Sequence, residues 1–422
     1  MVQNDSANQE HLDDVPAMPS NPAKGIPSGK YQLVGWAIDT TGRRLIDEII
    51  QIAAYTPQAK FSQYIMPFGD LNPVYSRRHG VRVVNTIRYR RLRDTNSQEF
   101  LKTKSEMSAL QDFLVWLEGL KAEGTDGIVL VYHELRKASP GMLLESLRRN
   151  LLLERFSKVV KGFANGFNVA KAKCANATKS CSLRAMTNLL LDRHPEHFYS
   201  AAERARATLD ISAHLAQSEL TELTNEGSEK GYTGEESHFV EMVRPYANSI
   251  EAEEEEIALF KLLLERQNTF RPVFGALLRA SRAERQHASH LRRLLAENNI
   301  NFDRLKEAYG SSAKEGLEKV IKNEVANANE KEFEDLLEIL DCFFDPEKKA
   351  VQPKPMQQRS PYRRRNNQFR RNKSSASESR SPTNTNENPT GSDETSPRSD
   401  SEKVKEVEAV EAATTPTPVA AQ

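Results

Sequence analysis

Seven arginines lie in two neighbouring runs, Tyr75-Ser76-Arg77-Arg78-His79-Gly80-Val81-Arg82 and Arg88-Tyr89-Arg90-Arg91-Leu92-Arg93, and neither run contains an acidic residue. A guanidinium fork pairs with phosphate oxygens and stacks on a base, and a tyrosine ring adds further stacking. Arg77, Arg78, Arg82, Arg88, Tyr89, Arg90, Arg91 and Arg93 are therefore candidate contacts to RNA; the plainer alternative is a strand edge or loop kept soluble by charge. A second basic group comprises Arg279, Arg282, Arg285, His287, Arg292 and Arg293. Glu284 and Glu297 dilute it, so an RNA contact and a solvated helix face both fit. The third group is Arg359, Arg363, Arg364, Arg365, Arg370, Arg371 and Lys373, with Tyr362 and Phe369. It reads as a non-specific RNA contact in a flexible tail, or as a nuclear localisation run. Ser360, Ser381 and Ser396 each precede a proline and are candidate phosphorylation sites. A phosphate on Ser360 would offset the adjacent arginines.

Metal chemistry is weakly supported. Cys174, Cys181, His194 and His197 place twelve residues between the second Cys and the first His. The spacings within the Cys pair and within the His pair fall outside those of zinc fingers. His287 and His290 lack a third ligand. Neither a metal nor a cofactor is expected.

The elements that would position the arginines follow from pattern. The chain has 422 residues, enough for two domains plus tails, and its 59 basic and 59 acidic side chains balance while being segregated along the sequence. No apolar run approaches the roughly 20 residues needed to span a bilayer, and the start lacks a signal or transit pattern. Three cysteines suit reduced thiols and are too few for a disulfide framework. Residues 1–30 read as a flexible leader. From 31 to 220, strands are expected at Leu33–Ile38, Ile49–Tyr55, Phe61–Met66 and Ile128–Tyr132. Helices are expected at Ser105–Leu120, at Gly141–Phe156 behind an N-cap and first-turn proline at Ser139-Pro140, and at Glu203–Gln217. That order fits an α/β domain of the ribonuclease-H-like type. Residues 221–250 read as a polar linker. The acidic run Glu251–Glu256 reads as a solvated helix entry. Residues 251–345 are wholly helical in pattern, with leucine pairs such as Leu262-Leu263 and Leu294-Leu295 in a core or a dimer surface. Residues 346–422 are too polar to bury a core and should be disordered.

Three stretches resemble the motifs of the DEDD-type 3′–5′ exonucleases. Gly35-Trp36-Ala37-Ile38-Asp39-Thr40-Thr41-Gly42 is similar to the first, with Ala37 at its Asp position and Asp39 at its Glu position. Val131-Tyr132-His133-Glu134 is similar to the second, but Leu135-Arg136-Lys137-Ala138 follows with no carboxylate at the matching distance. Ala205-Arg206-Ala207-Thr208-Leu209-Asp210 is similar to the third, keeping Asp210 and placing Ala205 where the general-base histidine would be. That chemistry needs clustered carboxylates around two cations, and a methyl group offers a hard cation nothing. The resemblance therefore implies a domain that is not an enzyme. A residual nuclease using Asp39, Asp210 and a third ligand is one competitor, and a protein-binding scaffold is another.

The arrangement as a whole resembles the exuperantia family of insect maternal proteins, over roughly Tyr31–Phe344. Arg77-Arg78-His79, Leu130-Val131-Tyr132-His133-Glu134, Thr269-Phe270-Arg271-Pro272 and Arg282-Ala283-Glu284-Arg285 carry the likeness together with the first motif. This implies a pseudo-nuclease domain followed by an all-α SAM-like domain, and homodimerisation. It also implies binding of maternal mRNA, in structured untranslated regions, for localisation in the oocyte. Cytoplasmic ribonucleoprotein particles and their transport proteins would be the setting.

Overall fold

A computed structural model describes residues 21–193, 200–225, 234–326 and 328–345, with Met18, Phe198 and Glu347. The third arginine group, the three Ser-Pro sites, His194, His197 and almost all of the expected tail lie outside the described residues.

The first motif sits on the central strand of a seven-stranded sheet. β1 (Tyr31–Thr40), β2 (Ile49–Tyr55) and β3 (Lys60–Ile65) form an antiparallel meander. β7 (Gly127–Tyr132) and β8 (Val160–Asn165) continue the sheet parallel to β1, β9 (Ala247–Ser249) closes one edge antiparallel, and β6 (Thr103–Lys104) extends the other. Between β3 and β6 the chain makes α1 (Pro73–His79) and a separate hairpin, β4 (Val81–Asn85) with β5 (Arg90–Asp94).

Side-chain alternation along the strands divides the core. Val34, Trp36 and Ile38 of β1, with Ile128, Leu130 and Tyr132 of β7, face α2 (Glu106–Leu120), α3 (Ser139–Arg149) and α4 (Leu153–Val159). Val129 and Val131 face α5 (Gly166–Lys173), α6 (Leu183–Leu191), α7 (Ala201–Asn225) and α8 (Gly234–Val243). Full burial of a side chain such as Phe113 or Leu110 contributes roughly 1.5–3 kcal/mol. Residues Ala37 and Asp39 share the period-two face of Gly35, against which α7 lies.

The second region is helical: α9 (Ile250–Thr269), α10 (Arg271–Phe274), α11 (Arg282–Glu297), α12 (Phe302–Glu324) and α13 (Glu330–Phe344). Phe270, Phe274, Leu291, Leu295, Leu317, Ile321 and Leu336 make its core. Within α12, non-helical backbone at Ser312 and Ala313 separates two helical segments that meet at a kink.

Four expectations are corrected. The stretch 221–250 is no polar linker throughout, because α7 runs on to Asn225, α8 follows from Gly234, and Ala247–Ser249 pairs with β8. The end of the leader is anchored: Ile26 is buried, and the backbone N–H of Lys24 donates to Asn248 Oδ1 over 2.9 Å. The helix expected through Phe156 breaks after Arg149, where Leu151 takes a positive φ of 57°, and Ser139 lies inside its first turn with no side-chain N-cap. Finally, Glu251–Glu256 is not uniformly solvated. Glu253 and Glu256 share the face of α9 that carries Ile257 and Phe260, and both are buried.

α9 belongs to both regions. Ile250, Ile257, Phe260 and Leu263 insert into the core between the sheet and α3, and the next residue after the helix, Phe270, begins the second core.

Candidate functional site

Asp39 is 2% exposed, on the strand face toward α7. The Arg204 guanidinium, from the first turn of α7, donates to Asp39 Oδ1 and also to the Ile38 carbonyl over 3.1 Å. His79 Nδ1 approaches the same carboxylate oxygen at 2.6 Å. His79 is delivered by local design: Asn72 caps α1, Pro73 opens it, and Gly80 ends it in the left-handed conformation with φ 64°. The ring stacks on Tyr75 with centroids 6.1 Å apart. Burial alone would raise the Asp39 pKa, but Arg204 and then His79 outweigh it and hold the carboxyl at about 2. Burial lowers the His79 pKa despite Asp39, so the ring is neutral at pH 7 and meets Asp39 as a close polar contact.

Ala37, opposite Ala53 on β2, presents no donor atom. Ala205 is buried in the α7–β1 contact, its carbonyl oxygen against Gly35. Asp210 does not join Asp39. It pairs with Arg193 at 2.8 Å and Arg206 at 3.5 Å, and lines a cavity of about 590 Å³ with Tyr31, Leu33 and Phe239. Leu33 and Asp39 are six residues apart on one strand, or about 20 Å at the rise of an extended chain. Among the described residues no three His, Cys, Asp or Glu side chains converge as a metal site would require. The single carboxylate at the end of β1 is occupied by a guanidinium and an imidazole, so the residues present do not fit a two-metal centre.

The second-motif positions have structural roles. His133 Nε2 contacts the Cys181 carbonyl at 2.7 Å, and burial lowers its pKa to about 4. Glu134 accepts from the Ala138 and Ser139 N–H groups over 2.9 and 3.2 Å and from Ser139 Oγ over 2.6 Å, fixing the start of α3. Cys174 and Cys181 are buried beneath α5 and α6.

The first arginine group is divided among α1 and the β4–β5 hairpin. Val83 pairs with Leu92, which is fully buried, so the opposite face of the hairpin carries Arg82, Arg91 and Arg93. Arg91 stacks on Phe100 with its guanidinium carbon 3.9 Å from the ring centroid, and Arg93 lies 5.5 Å away. Arg93 donates to the Gln98 carbonyl over 2.6 Å and Arg82 to Gln98 Oε1 over 3.3 Å. Arg90 is turned away and bound to Gly69 and Asp70 over 2.9 and 2.6 Å. Tyr89 is exposed at the hairpin tip beside Ile87. Arg77 and Arg78, on α1, are also exposed.

In the helical region Arg279 donates to the Gly275 carbonyl, Arg292 to the Gln267 carbonyl and Arg293 to Glu297, over 3.0, 2.7 and 2.7 Å. His287 meets Asp335 at 3.1 Å. Arg282 and Arg285 lie on α11 and also engage neighbours. Much of this second basic group therefore holds its own fold together. Residues that sequence reasoning passed over are Arg43, His79 as a partner of Asp39, and Arg204. The last stands one position before the expected histidine, which was the available signal.

The fold is a ribonuclease-H-like sheet with helices on both faces, followed by a SAM-like helical region. Residues 31–190 match the exuperantia RNAse H-like domain and residues 271–343 the exuperantia SAM-like domain. The chain is 39% identical over 363 residues to maternal protein exuperantia-1 of Drosophila pseudoobscura pseudoobscura, covering 78% of this chain and 72% of that protein. It is 38% identical to maternal protein exuperantia of Drosophila virilis, covering 81% and 75%, and 36% identical to that of Drosophila melanogaster, covering 78% and 71%. The chain belongs to the exuperantia family.

Proposed function

We propose that this protein binds RNA without cutting it, and serves as a non-enzymatic adaptor in the localisation of maternal mRNA. One observation carries the reading: the acid retained from the first nuclease motif, Asp39, is closed off by Arg204 and His79 beside a side chain that cannot ligate metal. The exposed arginines of α1 and the hairpin, with Phe100 and Tyr89, supply the attraction to phosphate and the stacking surface. Its setting is the cytoplasm, in ribonucleoprotein particles with transport proteins, and the adaptor acts as a homodimer. The maternal role comes from the names of the relatives. Phosphorylation at Ser360, Ser381 or Ser396 would weaken RNA binding by the tail.

The test is fluorescence anisotropy of an end-labelled structured RNA with purified protein and Mg²⁺, followed over time. A stable rise is expected. A rise that decays as the label is released would establish nuclease activity. A flat signal would favour a scaffold that acts through the SAM-like region.

A further inference from the structure

Around the closed Asp39 site the charges do not cancel. Arg43, in the turn after β1, donates to the Arg136 carbonyl over 2.7 Å, which brings it beside the loop that follows β7. Arg78 projects from α1 next to His79, is exposed, and makes no ion pair among the described residues. Arg78 adjoins His79 on α1, whose ring meets Asp39 at 2.6 Å, and Arg204 holds the same carboxylate, so both arginines lie around one acid; Arg204 and then Arg43 act on the charge of Arg78. Burial first, and then these two neighbours, lower the Arg78 pKa, although the residue as a whole is exposed. Of the nearby acids, Asp47 is taken by Arg44 at 2.7 Å, Asp39 is held by Arg204, and Glu134, whose oxygens accept from neutral groups at the start of α3, keeps its charge and acts on Arg78. Three guanidinium groups from three separate elements thus face two local carboxylates, Asp39 and Glu134, at the end of β1, and the positive charge left over favours entry of an anion.

We propose that Arg43, Arg78 and Arg204 form a phosphate-binding pocket at the end of β1, with fixed guanidinium groups standing where a metal-dependent nuclease would hold its cations, and that the ligand is a backbone phosphate of RNA. This rests on the RNA-binding reading and locates it at the same site. Guanidinium groups neutralise a phosphate without supplying an activated water, so the pocket would hold the strand at the point where a nuclease would cut it. Arg204 is the floor of the pocket, fixed by Asp39. Arg43, bound to the Arg136 carbonyl, and Arg78 are its walls.

The experiment compares the full chain with an Arg43→Ala/Arg78→Ala variant, using one labelled RNA over a range of salt concentrations. A charge-matched Arg155→Ala/Lys158→Ala variant is the control, since α4 covers the opposite face of the sheet. The pocket variant should lose roughly tenfold in affinity. Its plot of log affinity against log salt should flatten by about 0.7 for one lost phosphate contact on a single strand. The control should change neither quantity as much. Arg78→Ala alone, at an exposed position, should give part of the effect with an unaltered melting temperature. Equal losses in pocket and control variants, or no loss in either, would overturn the pocket while leaving RNA binding intact. Failure of the unmodified protein to bind RNA would overturn both.

Discussion

The carbonyl oxygen of Ala205 lies 2.2 Å from the place a Cβ on Gly35 would occupy. β1 and α7 touch backbone to backbone here, and that contact sets how deeply Arg204 reaches toward Asp39.

Gly35→Ala should therefore be strongly destabilising. A methyl group would meet the Ala205 carbonyl and, at 2.8 Å, the Leu209 Cβ, neither of which can rotate away. Overpacking of this kind costs about 1–3 kcal/mol and more where backbone must move. Chemical denaturation of both proteins measures it, and an unchanged midpoint would show that α7 shifts freely.

Asp39 should give the protein a specific acid sensitivity. Its carboxyl is held at about 2 against an ordinary 3.8. A depressed carboxylate contributes stability that is complete above the unfolded value and is lost as pH falls toward the folded one. Here that window runs from about pH 4 down to about pH 2, and the contribution is on the order of 2 kcal/mol. Asp39→Asn should be less stable than the parent at pH 6, and the gap should narrow as pH falls through that window. A gap independent of pH would mean that the carboxylate charge carries no such weight.

Lys137 should be indispensable to the packing of α9. Its ammonium group meets Glu253 at 2.6 Å and Glu256 at 2.7 Å, and all three side chains are at most 10% exposed. Burial raises the Glu253 pKa while Lys137 and Asn248 oppose it. Lys137→Met would leave carboxylates buried without their cation, at a cost of about 3–5 kcal/mol. Adding Glu253→Gln should restore part of the loss, measured as a double-mutant cycle. Additivity of the two changes would refute the coupling.

Much of the sheet was legible because β1, β2 and β7 are apolar on both faces and bounded by turns. The first motif was legible because it is local. The partners of Asp39 were not, since His79 and Arg204 stand 40 and 165 residues away in the chain and meet only through α1 and α7. Asp210 misled for the opposite reason: its spacing suits the third motif, yet the helix carries it toward Leu33 instead. The hairpin arginines were recognisable by density, but which of them face outward depends on the pairing of Val83 with Leu92. The strand at Ala247 escaped notice because three residues carry no period of their own.

α9 has a bearing on synthesis. Domains commonly fold as units while the chain is still being made, the first before the second. Here the core of the first region also takes in Ile257, Phe260, Leu263 and Ala296, the last of these from α11. The ribosome must release nearly three hundred residues before that core can close. Until then the apolar surface awaiting α9 stands open to chaperones, and premature termination ahead of Ile250 would leave an incomplete product rather than a usable half.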